Sequence, residues 1–138
     1  MNTKDALMQL AISFSEFKVH SLFTKELKDI MTKNISNKQQ FFNQLVTQLQ
    51  NVKNMGCMVY TADHNEKIKG ADGHYYSLHF QSAQYNIRFL VHISDSGECC
   101  FLSAFYERSG KSKTDYSNYI PTLESRFKSL LGDDFDER

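Results

Sequence analysis

Apolar residues recur at helical spacing through the first part of the chain and alternate in strand fashion through the second. Leu7, Leu10, Ala11 and Phe14 return every three to four residues and predict a first helix over about 3–14. Between 16 and 23, Phe17 and Val19 alternate with Lys18 and His20, the pattern of an edge strand. Thr24 then stands as a cap before 25–33, where Leu27, Ile30 and Met31 share one face, and the strand–helix boundary stays open. The longest stripe is Phe41, Phe42, Leu45, Val46, Leu49 and Val52. It predicts a helix over about 37–54, capped by Ser36 or Asn37 and ended by Gly56. Gln40, Asn43, Gln44, Thr47, Gln48 and Gln50 make its polar back.

Beyond it, 57–61 reads as a short strand and 63–73 as a charged loop. From His74 to Phe80 the chain alternates, Tyr76, Leu78 and Phe80 to one side and Tyr75, Ser77 and His79 to the other. Segments 86–93 and 98–106 flank Ser94-Asp95-Ser96-Gly97, a hairpin signature. Pro121 suits the first position of a last helix that turns Leu123, Phe127, Leu130 and Leu131 inward and stops by Gly132. Helices first, then three to five antiparallel strands, then a closing helix define an α+β domain, its small antiparallel sheet packed against the N-terminal helices. A single proline and no repeat or low-complexity stretch give one domain over 1–132, followed by an acidic tail over 133–138.

Pairing Ile93 with Glu98 sets Ile87, Phe89 and Val91 beside Ala104, Leu102 and Cys100 on a wholly apolar face. The other face then holds Arg88, Leu90 and His92 with Ser103, Phe101 and Cys99. An arginine in mid-strand is too costly to bury unpaired. Arg88 must therefore reach an acid such as Glu107, reach solvent, or bind an anion through its planar fork.

Composition acts mainly by exclusion. In 138 residues, 23% charged and 13% aromatic content is that of a folded domain rather than a disordered chain. No apolar run approaches the roughly 20 residues of a membrane span. The polar N-terminus is unlike a signal peptide, so a cytoplasmic location is expected. Cys57, Cys99 and Cys100 form no C-x-x-C or zinc-finger spacing, and neighbours in a strand point to opposite faces, which predicts reduced, buried thiols. Net charge is zero, against the basic excess common in nucleic-acid binders. The tail accounts for part of this: it holds four acids and one base, so 16 of each sign become 12 acids and 15 bases without it.

Several segments line up in order: the polar-backed helix ending at Gly56, the basic loop from Lys67 to Gly73, the strand His74–Phe80, Arg88 between Ile87 and Phe89, and the apolar strand leading to Glu107-Arg108. Over about 37–130 this order resembles the RelE/ParE superfamily of bacterial toxins; residues 1–35 match less well and read as an N-terminal helical extension. The resemblance implies a toxin of a toxin–antitoxin system that cuts messenger RNA on the ribosome by attack of the 2′-hydroxyl. It implies no metal or other cofactor, and it gives a cognate antitoxin, the ribosome and mRNA, but no membrane, as partners. Carried over by position, Arg88 would hold the scissile phosphate, His79 would be the base with His92 as the alternative, and Tyr106 and Arg108 would stand at the catalytic rim. Lys67, Lys69, Lys111 and Lys113, together with His92, would bind RNA.

Each assignment has a plainer counterpart. Lys111 and Lys113 also fit solvated turn charges, Tyr106 a packing residue, His79 a hydrogen-bonded structural imidazole, and Lys67 and Lys69 stand beside Glu66 and Asp72. Members of the superfamily also differ in target, so a non-enzymatic protein-binding module or inhibitor, gyrase-directed for example, is the competing expectation. A third is an unrelated α+β domain whose basic loops only solvate it.

Overall fold

The protein is described by a computed structural model covering residues 2–70, 73–107 and 116–135, the side chains of 133–135 excepted. Helix α1 (Thr3–Ser13) is capped by Asn2, whose side chain accepts the Asp5 N–H at 2.8 Å. The expected edge strand over 16–23 shrinks to β1 (Lys18–Val19). Pairing stops there because His20, which still donates its N–H to Phe101 O at 2.9 Å, turns its Nδ1 to accept Leu22 N–H at 3.0 Å. His20, rather than Thr24, therefore caps α2 (Ser21–Lys33). Asn37 caps α3 (Lys38–Met55) through the Gln40 N–H at 3.1 Å, and Gly56 ends it with φ +53°.

The short strand expected over 57–61 is instead part of a 3-10 helix, Gly56–Thr61. It drives Val59 into the core while Met58 and Tyr60 stay exposed. Then follow β2 (Glu66–Lys67), β3 (Tyr75–Gln81), β4 (Asn86–Ile93), β5 (Cys99–Tyr106), a 3-10 turn (Tyr116–Asn118) and α4 (Ile120–Phe135). Helix α4 runs through Gly132, so Asp133, Asp134 and Phe135 belong to it rather than to a tail; 136–138 lie outside the described residues.

Among the described residues, four α-helices and one five-stranded sheet of order β1-β5-β4-β3-β2 make an α+β fold. The sheet is mixed rather than antiparallel: β1 runs parallel to β5, since α2 and α3 carry the chain from one edge to the other before β2 begins. One face packs on α1, α2 and α3. Phe14, Phe23, Phe89 and Phe101 meet there edge to face, with centroids 4.9 Å apart for Phe14–Phe101 and 5.0 Å for Phe23–Phe89. The opposite face gathers Ile68, Tyr75, Leu90, Cys100 and Leu102 under Leu123 and Phe127 of α4.

The hairpin register differs from expectation. Gly97, at φ +90°, donates its N–H to Ser94 O at 2.8 Å while Ser94 N–H reaches Glu98 O at 3.0 Å, so Ile93 pairs with Cys99 rather than Glu98. That single residue turns Cys99 and Phe101 toward the helices and Cys100 and Leu102 toward α4, the reverse of the expected faces. A second shift between Leu90 and Val91 leaves Leu102 without an opposite partner and returns Ala104 to the face of Phe89. None of the three cysteines is in a disulfide, and Cys99 and Cys100 are buried on opposite faces.

Both outer strands are two residues long, so much of the edges of β5 and β3 has no strand beside it. Glu26 and Arg126 finish the first. Arg126 grips Glu26 through both nitrogens (2.8 and 3.1 Å) and donates to Leu102 O at 2.8 Å, while Glu26 accepts Ala104 N–H at 3.1 Å. Side-chain amides finish the second, and the candidate site lies there.

Candidate functional site

Beyond Ser77, where β2 stops, the free edge of β3 faces the polar back of α3. Gln48 donates to His79 O at 2.9 Å and Gln44 to Gln81 O at 2.8 Å. Asn65 Oδ1 accepts both the His79 N–H (2.8 Å) and Gln48 Nε2 (2.7 Å), and Asn65 Nδ2 donates to Gln48 Oε1 and Val59 O. Every amide atom of the Gln48–Asn65 pair is thus engaged, which fixes the strand edge without a strand. Between this edge and α3 runs a groove of about 660 Å³ whose lining includes Gln40, Asn43, Thr47, Asp63, His64 and His79.

The turn entering Asn65 carries two consecutive non-glycine residues at positive φ, Asp63 (+50°) and His64 (+62°). Such backbone is held against its preference. Asn51 Nδ2 holds the Asp63 carboxylate at 2.8 Å. The turn sets the exposed His64 ring with its centroid 6.5 Å from that of His79, nearly perpendicular to it.

His79 stands directly across from Arg88 in the β3–β4 ladder. Arg88 is buried: its Nε donates to Glu107 at 3.3 Å, its Nη1 donates to His64 O at 3.3 Å, and Nη1 lies 3.7 Å from Glu66. Among the described residues its Nη2 has no hydrogen-bond partner. The Tyr116 hydroxyl donates to Glu66 at 2.7 Å and lies 3.0 Å from Ser77 Oγ.

Burial lowers the pKa of His79 below its ordinary 6.5; the Asn86 hydrogen bond opposes this and the Arg88 charge adds to it. With Nε2–H donated to the Asn86 side-chain oxygen Oδ1, Nδ1 is left as the basic nitrogen. A neutral imidazole, a second imidazole across a gap, and a guanidinium tied to both residues can move protons to and from an oxyacid ester and stabilise charge on it.

Of the residues singled out in the sequence, His79 and Arg88 come together here. Tyr106 does not: it pairs with Ile87 and so lies on the other face. Lys67 pairs with Tyr76, again on the other face, and Lys69 is exposed beyond β2. His92 shares the face of Arg88 but is buried under α4, its ring stacked 3.7 Å from Phe127. Arg108, Lys111 and Lys113 lie outside the described residues. Glu66 stands out in the sequence only as a neighbour of Lys67, and His64, Asn65 and Tyr116 carry no role there. Their only signal was His64-Asn65 at the start of a loop otherwise charged.

Comparison with family models, curated proteins and solved structures gives no match. Among the described residues no helix is long and apolar enough to cross a membrane.

Proposed function

We propose that the protein cleaves RNA without a metal, as a toxin of the RelE-like kind held in check by an antitoxin and acting on ribosome-bound message. The observation that carries this reading is the pair of imidazoles, 6.5 Å apart at one groove, with Arg88 bonded to the backbone of one and paired across the sheet with the other. His79 Nδ1 takes the proton of the attacking 2′-hydroxyl, and lowering of its pKa keeps it neutral for that task. His64 gives a proton to the departing 5′-oxygen. Arg88 offers its remaining N–H groups to the phosphoryl oxygens as charge builds. The products are a 2′,3′-cyclic phosphate and a 5′-hydroxyl, which conserves protons overall. Asn43 and Gln40 along the groove have the donors and acceptors that read an unstacked base edge.

A second reading, a non-enzymatic binding module, is favoured by one observation. Arg88 faces both Glu66 and Glu107, so carboxylates already engage its guanidinium where a phosphate would have to bind. Inducing the wild-type chain and His79→Ala in bacteria separates the two. New 5′ ends in translated messages, with cyclic phosphate on the upstream fragments and loss of both in His79→Ala, support cleavage. Growth arrest without new ends moves the reading to a protein target, and the absence of both effects with folded protein refutes a toxin.

A further inference from the structure

At the other end of β3, three segments distant in sequence bring three metal-binding side chains together. Cys57 lies in the 3-10 helix after α3, His74 immediately precedes β3, and Asp95 sits in the β4–β5 turn. One donor atom from each falls within 4.8 Å of the others. We propose that Cys57, His74 and Asp95 form a site for a borderline transition-metal dication, zinc above all.

The surroundings are arranged as a metal site requires. His74 Nδ1 lies 3.0 Å from Ile93 O, and His74 O accepts the Ile93 N–H at 2.9 Å, so the residue is held on β4 by ring and backbone together. Donation of Nδ1–H to that carbonyl leaves the Nε2 lone pair for a metal, the usual way an outer hydrogen bond orients a histidine ligand. Nε2 already faces Asp95 Oδ1 at 3.7 Å. Cys57 Sγ rests against Ser94 O (3.2 Å) and Ile93 O (3.5 Å), contacts that suit a thiol donor. Coordination sends the thiol proton to solvent.

Geometry and donor set point to the same class of ion. Zinc bonds of about 2.3 Å to sulphur and about 2.0–2.1 Å to nitrogen or oxygen put tetrahedral ligand atoms roughly 3.5 Å apart. The site therefore has to close by about an ångström, and Asp95, 94% exposed in a turn, is free to swing in. Thiolate with imidazole excludes calcium and magnesium, which take oxygen shells. Three protein ligands leave a fourth position for water. His79 lies five positions along the chain from His74, about 16 Å, so the ion would fasten the 3-10 helix, the start of β3 and the β4–β5 turn to one another without touching the candidate acid–base site.

The test uses the whole chain, stripped of metal by chelator, with Zn²⁺ and then Co²⁺ as the probes. Uptake of one Zn²⁺ per chain, a rise in Tm with Zn²⁺, and a sulphur-to-cobalt charge-transfer band with intense tetrahedral visible bands are the expected results. Cys57→Ser should abolish the charge-transfer band, and His74→Ala should weaken Zn²⁺ binding by well over tenfold. Asp95→Asn, at an exposed position that leaves folding intact, should weaken it by about tenfold or more. No Zn²⁺ uptake by the wild-type chain, an octahedral cobalt spectrum without the sulphur band, or wild-type affinity in Asp95→Asn overturns the proposal.

Discussion

Replacing Glu26 by Gln should lower stability by about 2 kcal/mol, because it removes one charge from the clamp that ties α2, β5 and α4 together. Glutamine keeps an oxygen for the Ala104 N–H and the Ser103 hydroxyl, so the change isolates the ionic part of a five-bond cluster. Hydrogen bonds to charged groups contribute roughly 1.5–3 kcal/mol each, and breaking a fully buried pair costs about 3–5 kcal/mol. The Glu26 side chain is 32% exposed and that of Arg126 14%, so solvent screening takes the expectation to the lower part of that span.

For a chain of this size about 2 kcal/mol corresponds to a Tm drop of roughly 6–10 °C. Urea unfolding gives the cleaner number, since an unchanged m-value shows that Cm alone moved. Arg126→Met should lose a similar amount, since it leaves Leu102 O and the Glu26 carboxylate unpaired. The double variant should lose less than the sum of the two by about 1 kcal/mol, as neither charge is then left alone. Additive losses, or a change below about 0.5 kcal/mol in Glu26→Gln, would refute the clamp. Docking of α4 would then rest on its apolar side chains, Ile120, Leu123, Phe127 and Leu130.

Asn65→Ala should cost about 2–3 kcal/mol by stranding Gln48 and the His79 N–H, and should reduce the proposed RNA cleavage more than its loss of folded protein explains; urea titration beside a test for that cleavage at matched folded fraction checks both. His79 is held below its ordinary 6.5 in the folded chain, so the unfolded chain binds the proton first as pH falls. Its contribution is therefore constant above that value, and stability declines as pH drops through 6.5 toward the folded pKa. Cm measured against pH should show this slope in the wild type and lose it in His79→Gln. Gly97→Ala meets no atom within 4 Å of the new Cβ, so its cost of about 1 kcal/mol should come from φ +90° alone and appear as a Cm shift without loss of structure by circular dichroism.

Helix α3 was readable almost to the residue, because an unbroken apolar stripe, the Asn37 cap and Gly56 all agree. The faces of β3 were equally plain from alternation. Register in β4–β5 was not, because a turn and a bulge each insert one residue and alternation has no memory across them. The parallel pairing of β1 was hidden for a related reason. Two residues carry too little pattern, and their partner lies some eighty positions away.

The candidate site divides along the same line. His79 and Arg88 were legible because each is a polar side chain in an otherwise apolar strand, and strand pairing makes them neighbours. His92 carries the same signal but lies beneath Phe127, and only the docking of α4 tells the two imidazoles apart. Tyr106 shares the parity of Ala104, so its face was readable, yet its place at a strand end drew it toward the rim. His64 and Asn65 owe their positions to Asn51 and Gln48 of α3 through a turn of positive φ, which no local pattern encodes.

The incomplete sheet edges account for where a site can form at all. A full partner strand beside β3 would consume the His79 N–H and carbonyl and fill the space along α3. Here Asn65 and Gln48 satisfy those groups from the side, and the absent strand leaves the groove that His64 and His79 line. At β5 the same vacancy is closed by an ion pair with a helix behind it. Neutral amides hold the β3 edge without blocking it and leave His79 its proton chemistry, whereas a salt bridge there would add charges that shift it. The choice of amides over ions at that edge is thus coupled to the imidazole beside it, and exchanging Gln48 for Glu should raise the His79 pKa and disturb the groove together.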